Sequence, residues 1–250
     1  MRIAIISDIH GNDIAFAAVM ADLHAQAAIS PIDQMVCNGD AIQGGPQPAQ
    51  VAEHLRALAC PVVMGNADAF VLTGQDEEDA TTPPERLRML QAVRKWTWAK
   101  LDELQRDFIR GFQPTVRLEL EAGRTLLCFH GSPTSFNHII LPHTPEEEVA
   151  GYLGADADCI LTGGHTHLQQ IRSIQNTIFF NPGSVGLAFN HQNHQQLFGW
   201  AEYAILTVQG SSRGLEFRRV PFDVNALIRV YEASGRPFAE DMIAQYRAIQ

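Results

Sequence analysis

Short, nearly unbroken runs of Ile, Val, Leu and Phe recur along the chain, at Arg2–Ser7, Gln34–Cys37, Pro61–Met64, Thr115–Glu121, Thr125–Phe129, Asp158–Thr162 and Thr177–Phe180. Apolar runs of that length without strict alternation read as strands covered on both faces. Helical spacing lies between several of them. Asp13–Ala28 places Ile14, Ala17, Ala18, Ala21 and Ala25 at helical intervals, and Gln47–Leu58 follows the turn Gly44-Gly45-Pro46. Strand–helix–strand alternation predicts an α/β sandwich. Three further pairs of runs read as hairpins: Thr115–Glu121 with Thr125–Phe129, Gln169–Ile174 with Thr177–Phe180, and Glu202–Val208 with Leu215–Val220. Hairpins after parallel-type units imply mixed sheets, in two β-layers packed between helices.

The pattern breaks between Phe70 and Phe112. An acidic loop, Gln75–Asp79, is followed by Thr81-Thr82-Pro83-Pro84, a helix start, and then by Leu87, Leu90, Val93, Leu101, Leu104 and Phe108 on one or two amphipathic helices. The segment reads as a helical layer docked on the sheet, or as a cap over the site; Trp96 and Trp98 read as packing residues. Asp223–Gln250 reads as two helices around Ser234-Gly235-Arg236-Pro237, without a catalytic signal. Residues 1–250 are therefore expected to form one domain with a helical insertion at about 70–112 and C-terminal helices at about 223–250.

Hydrophobic residues make up 46% of the 250-residue chain and charged residues 18%, which is ordinary globular composition. No stretch approaches the roughly 18 consecutive apolar residues of a membrane span, and the first run is too short for a secretion signal. The expectation is a cytoplasmic protein with no membrane partner. Cys37, Cys60, Cys128 and Cys159 lie in or beside apolar runs without CxxC spacing and read as buried thiols. A net charge of −10 opposes binding to a nucleic-acid polymer. It leaves room for a small phosphate-containing substrate if metal cations reverse the sign locally. Oligomeric state stays open.

The candidate chemistry sits at run ends. Asp8-Ile9-His10 closes the first run; Asn38-Gly39-Asp40, Gly65-Asn66, His130-Gly131 and Gly164-His165-Thr166-His167 close four others. With ten histidines in the chain, one His-x-His arises by chance about 0.4 times, and Asp22-Leu23-His24 is a decoy inside the first predicted helix, read as a solvated face. Five strand ends that each deliver Asp, Asn or His beside glycine are a different matter, because the carboxyl ends of strands are where α/β sheets build sites. Asp8, Asp40 and Asn66 with His10, His130, His165 and His167 form a mixed N/O donor set. It suits several divalent ions, Mn, Fe, Zn, Co or Ni, and does not choose among them; manganese is the ion expected. Seven donors exceed one ion but suit two if a carboxylate bridges them, and two ions can clamp attacking and leaving oxygens of a phosphoryl transfer, with a hydroxide between them as nucleophile.

These blocks, in this order, resemble the calcineurin-like metallophosphoesterase superfamily, over roughly Arg2 to Val220, and look closest to its small prokaryotic phosphodiesterase branch, which carries a motif like Asn181-Pro182-Gly183-Ser184. The resemblance implies a four-layer α/β/β/α sandwich. It also implies one metal on Asp8, His10, Asp40 and His167, and a second on Asn66, His130, His165 and the bridging Asp40. One departure stands out: the third block reads Gly65-Asn66-Ala67-Asp68, with Ala67 where many members have a histidine that assists the leaving group. Its loss falls hardest on poor leaving groups, which favours phosphodiesters or phosphoanhydrides over alkyl monoesters.

Asn12 reads equally as a cap of the following helix and as a phosphate contact beside Asn66. His138, His143, His191 and His194 read as ordinary histidines, with His191 and His194 in a polar loop, Asn190–Gln196, that could border the site. Asp68 has no assigned role. The leading function is hydrolysis of a phosphodiester or nucleotide-like ester. The alternatives are a non-catalytic metal-binding sensor or scaffold and, least favoured by the charge, a nuclease.

Overall fold

The computed structural model describes residues 1–75, 82–154, 159–175, 177–189 and 196–249. In chain order the elements are β1 (Arg2–Ile6), α1 (Asp13–Ile29), β2 (Gln34–Cys37), α2 (Pro48–Leu58), α3 (Asn66–Thr73), α4 (Pro84–Lys100), α5 (Glu103–Arg110), β3 (Val116–Glu119), β4 (Thr125–Cys128), α6 (Glu146–Leu153), β5 (Cys159–Thr162), β6 (Gln170–Ile174), β7 (Thr177–Asn181), β8 (Trp200–Gln209), β9 (Ser212–Pro221), α7 (Val224–Ser234) and α8 (Ala239–Arg247). The strands form two mixed sheets, β2-β1-β8-β9 and β3-β4-β5-β7-β6. β1 pairs with β2 in parallel, and β4, β5 and β7 are parallel neighbours. The three expected hairpins are all present as antiparallel pairs.

Alternation along β1 explains the layering. Ile3 and Ile5 turn into the space between the sheets, where they meet Leu126, Cys128, Ile160 and Phe180 of the second sheet. Ala4 and Ile6 turn outward onto α1 and α2 through Phe16, Val19, Val51 and Leu55. Beyond the second sheet, Val149 and Leu153 of α6 pack on Leu127, Leu161 and Phe179. Helix, sheet, sheet and helix thus follow in order, as side chains of period two must arrange when both faces are covered.

Several sequence expectations need correction in detail. Pro61–Met64 makes only single bridges, Cys37 with Val62 and Val63 with Gln113, rather than a full strand. In α1 the buried residues are Ala15, Phe16, Val19 and Leu23, whereas Ala17, Ala21 and Ala25 face solvent. Larger side chains gain more from burial than alanine and take the inward face. Asp22 of the decoy does not lie on a solvated face. It accepts from Arg218 Nη2 at 2.9 Å and from the Tyr203 hydroxyl at 2.6 Å, tying α1 to β8 and β9. The helical insertion begins earlier than Phe70, since α3 opens at Asn66, inside the third block. Most of the acidic loop Gln75–Asp79, together with Thr81, Asp158, Asn176, His191 and His194, lies outside the described residues. Among the described residues no helix is long and apolar enough to cross a membrane.

Candidate metal centre

Every parallel strand ends at the same edge of the sandwich. β1, β2, β4, β5 and β7 therefore deliver Asp8 and His10, Asp40, His130, His165 and His167, and the Asn181–Ser184 turn to one place. Backbone hydrogen bonds lock the loops together: Asp8 N donates to Gly39 O and His10 N to Asp40 O, each at 2.9 Å. The turns are severe. Asp8, His10, Asp40, His165 and His167 all adopt left-handed backbone, with φ of 54°, 49°, 49°, 68° and 55°. Such angles are costly for residues with a Cβ and cluster where function holds them. Glycine supplies the remaining clearance. A Cβ on Gly65 would sit 2.1 Å from Asp40 Oδ1, and one on Gly164 would sit 2.8 Å from Asp8 Oδ2.

Two groups of potential ligand atoms result. Those of Asp8, His10 and His167 lie within 4.8 Å of one another, as do those of Asp40, His130 and His165. His167 Nε2 is 3.2 Å from Asp8 Oδ1, and His10 Nε2 is 3.0 Å from His167 Nε2. Asp40 Oδ2 lies between the groups, 3.7 Å from His10 Nε2 and 3.4 Å from His130 Nε2. Asn66 Oδ1 is 3.0 Å from His130 Nε2. The rings are oriented from behind, because Nδ1 of His10, His130 and His167 faces the carbonyls of Gln43, Asn38 and Leu187 at 2.7, 2.8 and 2.8 Å. An Nδ1–H donated to each carbonyl leaves Nε2 turned toward the centre, the arrangement typical of metal-ligating histidines.

The electrostatics fit a cation. Asp8 Oδ1 is buried, meets no conventional hydrogen bond and faces His167 Nε2 at 3.2 Å. Burial opposes protonation of His167, yet Asp8 draws its pKa above the ordinary value, so this carboxylate calls for positive charge beside it. Burial raises the pKa of Asp40, but the imidazoles of His130 and His10 outweigh it and hold the carboxyl well below its ordinary range. Burial, helped by the neighbouring His130, lowers His165 to about 4, and burial also lowers His10; both are neutral donors at pH 7. Burial opposes protonation of His130, yet Asp40 draws it up to about 9. A divalent ion at this position would displace that proton and take over the neutralisation of Asp40. The donor set of hard oxygens and imidazoles, without thiolate, suits such an ion.

The remaining motif residues build the scaffold. Asn12 is the α1 cap: its Oδ1 accepts from Ala15 N and its Nδ2 donates to Gly186 O, both at 3.0 Å. Asp68, fully buried, accepts from the backbone N–H of Ala41 and Ile42 at 3.1 and 3.0 Å, fixing the loop that carries Asp40. Asn181 Nδ2 donates to Gly164 O at 2.6 Å, and Ser184 Oγ donates to Asp8 O at 2.8 Å, joining two ligand loops. His138 stacks on Tyr152 with ring centroids 4.0 Å apart and its Nδ1 is 2.8 Å from Ser132 Oγ. His143 is exposed. Neither belongs to either ligand group.

A cleft of about 590 Å³ opens over His10, Asn66, His165 and His167. Leu90 and Val93 of α4 form one wall, so the helical insertion does more than cover the sheet. Trp98 packs with the core beneath it. Two cationic residues that sequence reasoning missed also line the cleft, Arg86 of α4 and Arg236 from the turn between α7 and α8. Nothing local marks Arg236. It is brought to Gly44 across 192 positions of sequence, and only the fold reveals the neighbourhood. A second groove of about 550 Å³, lined by Met20, Leu23, Ile32, Met35 and Leu118, holds neither of the two ligand groups.

Comparison with known proteins agrees with this geometry. A family model described as the calcineurin-like phosphoesterase superfamily domain matches residues 1–211. Uncharacterized protein MJ0912 of Methanocaldococcus jannaschii is 26% identical over 193 residues, covering 74% of this chain and 70% of that protein. A metallophosphoesterase from Sphaerobacter thermophilus superposes with a TM-score of 0.70 at 23% identity, covering 99% of this chain and 98% of the other. The hypothetical protein PH1004 from Pyrococcus horikoshii gives a TM-score of 0.77 at 20% identity, covering 98% and 97%. The two structures share the fold.

Proposed function

The chain belongs to the calcineurin-like phosphoesterase superfamily, and on that premise we propose that it hydrolyses phosphodiesters or nucleotide-like phosphate esters at a centre holding two divalent ions. One observation carries the reading. Two groups of three ligand atoms, Asp8, His10, His167 and Asp40, His130, His165, converge on a cleft floor with Asp40 between them. Asp8, His10, His167 and Asp40 would hold one ion; His130, His165, Asn66 and Asp40 the other. Manganese is the first ion to test. Bound ions would supply the positive charge that stabilises a phosphoryl transition state and the acidity that makes water nucleophilic at neutral pH.

The residues of the chain do the positioning. Asn66, at the start of α3 and on the cleft floor, would orient a phosphoryl oxygen with its amide. Ala67 offers no side-chain proton donor; its backbone N–H donates to Asp40 Oδ1 at 2.8 Å. Among the described residues lining the cleft, the titratable side chains are His10, His165, His167, Arg86 and Arg236, and the histidines are assigned to metal. Leaving groups that depart as stable anions without protonation are therefore preferred, which points to aryl diesters and to phosphoanhydrides, including those of nucleotides. The net charge of −10 favours a small substrate over a nucleic-acid polymer.

Ala67 also supports a second reading, a metal-binding sensor or scaffold without turnover. Hydrolysis of bis(p-nitrophenyl) phosphate with added Mn²⁺, compared between wild type and Asp40→Asn, separates the two. Metal-dependent turnover lost in the variant supports the hydrolase; stoichiometric metal binding without turnover supports the sensor.

A further inference from the structure

Arg236 is placed in an uncommon way for an arginine on the wall of a cleft. It follows α7, after Gly235 in left-handed conformation, and lies beyond residues 1–211, which the family model matches. Its Nε donates to Gly44 O at 2.6 Å, and its Nη1 donates to Pro237 O at 2.8 Å and Phe238 O at 3.3 Å. Gly44 in turn packs against His10: a Cβ there would be 3.1 Å from the His10 Cβ. The guanidinium also stands 5.8 Å from the Tyr231 ring centroid.

Three carbonyls therefore fix the guanidinium. It makes no ion pair among the described residues, although burial disfavours its charge and Asp241 is close enough to support it. Among the described residues Nη2 makes no hydrogen bond, the others running from Nε and Nη1, and the residue lines the same cleft as His10, Asn66 and His165. A half-buried cation held rigidly with one face unused, in a chain of net charge −10, is arranged to meet an anion. The scissile phosphate already faces the proposed ions. The anion left for Nη2 is another one.

We propose that Arg236 is a substrate-positioning residue that binds a second phosphate, so that preferred substrates carry at least two phosphate groups. Arg86, exposed on α4 at the same cleft and without a partner among the described residues, adds positive charge on that side. The proposal rests on the phosphoesterase reading, but its test does not require turnover.

AMP and ADP, which differ by one phosphate, are titrated calorimetrically into the manganese-loaded full chain, as wild type, Arg236→Gln and Arg236→Lys. Wild type is expected to bind ADP more tightly than AMP. Arg236→Gln should weaken ADP by about tenfold to a hundredfold, the worth of a hydrogen bond to a charged group, and AMP by less than about threefold. Arg236→Lys, which keeps the charge without the planar fork, should recover part of the difference. If Arg236→Gln does not fold, the ADP-to-AMP ratio of Arg236→Lys is the readout, and it should lie below that of wild type. Equal weakening of both nucleotides would reduce Arg236 to a structural tie on Gly44 and overturn the proposal. So would an unchanged ratio, or a wild type that does not distinguish ADP from AMP. Loss of hydrolysis in wild type, with the ADP preference intact, would instead count against the hydrolase reading alone.

Discussion

Asp8, His10, Asp40, His165 and His167 hold left-handed backbone at φ between 49° and 68°, and each such residue costs roughly 1–3 kcal/mol unless its surroundings enforce it. The enforcement is visible in the hydrogen bonds of Asn181 to Gly164 O and of Ser184 to Asp8 O. Asn181→Ala is therefore expected to lower metal affinity about 10–100-fold, the usual effect of removing a group that orients a ligand, with the melting temperature of the metal-free protein much less affected; calorimetric titration with Mn²⁺ checks it. Ala67 permits the reverse experiment. Because its contact with Asp40 runs through the backbone N–H, Ala67→His keeps that contact and adds an imidazole at the cleft. Hydrolysis of alkyl esters should rise about 10²-fold relative to aryl esters, and an unchanged ratio would show that leaving-group protonation is not what this position controls. The candidate ligands that the structure gathers into two groups were legible in the sequence because each ends an apolar run beside glycine. The roles of Asp68 and Arg236 were not, since their partners Ala41, Ile42 and Gly44 lie 26 to 192 positions away.

At the scale of elements, period-two alternation in β1 sends Ile3 and Ile5 between the sheets and Ala4 and Ile6 onto the helices. Ile5→Ala, at a fully buried position, should destabilise the fold by about 2–5 kcal/mol, read from denaturant unfolding. The polar tie between α1 and the β8–β9 ribbon gives a pH dependence. Hydrogen bonds from Arg218, with a smaller contribution from Tyr203, hold the Asp22 carboxyl below its ordinary value of 3.8. The unfolded chain thus takes up that proton at higher pH than the folded one. Stability from Asp22 is complete above the ordinary carboxylate range and is lost as pH falls through it toward the lowered folded value. Asp22→Asn should lose about 1–2 kcal/mol near neutrality and show a flatter decline of unfolding free energy between about pH 5 and 3; an unchanged slope would contradict this origin. Strands and hairpins were readable from apolar runs and turn residues. The inward face of α1 was not, because alanines at helical spacing say nothing about which side wins once Phe16, Val19 and Leu23 compete for burial.

For the molecule as a whole, the sandwich brings the ends of five strands to one edge, and the helical insertion and the C-terminal turn close around them. The insertion read from sequence as a docked layer or a cap contributes a wall of the cleft through Leu90 and Val93, which joins the two readings. The C-terminal helices, read as two helices without a catalytic signal, bring Arg236 to the cleft. Buried carboxylates facing one another across imidazoles give the metal-free protein a reason to be less stable than the loaded one. Ions that bind the folded state alone raise stability by roughly 4 kcal/mol at a thousandfold excess over Kd. The most direct test is the number of ions bound per chain, measured together with hydrolysis of bis(p-nitrophenyl) phosphate as Mn²⁺ is titrated into chelator-treated protein. Two equivalents per chain, with activity appearing as they fill and both lost in Asp40→Asn, is the expected result. Full hydrolysis in the metal-free protein, or saturation at one equivalent with Asp40→Asn still active, would contradict the two-ion centre.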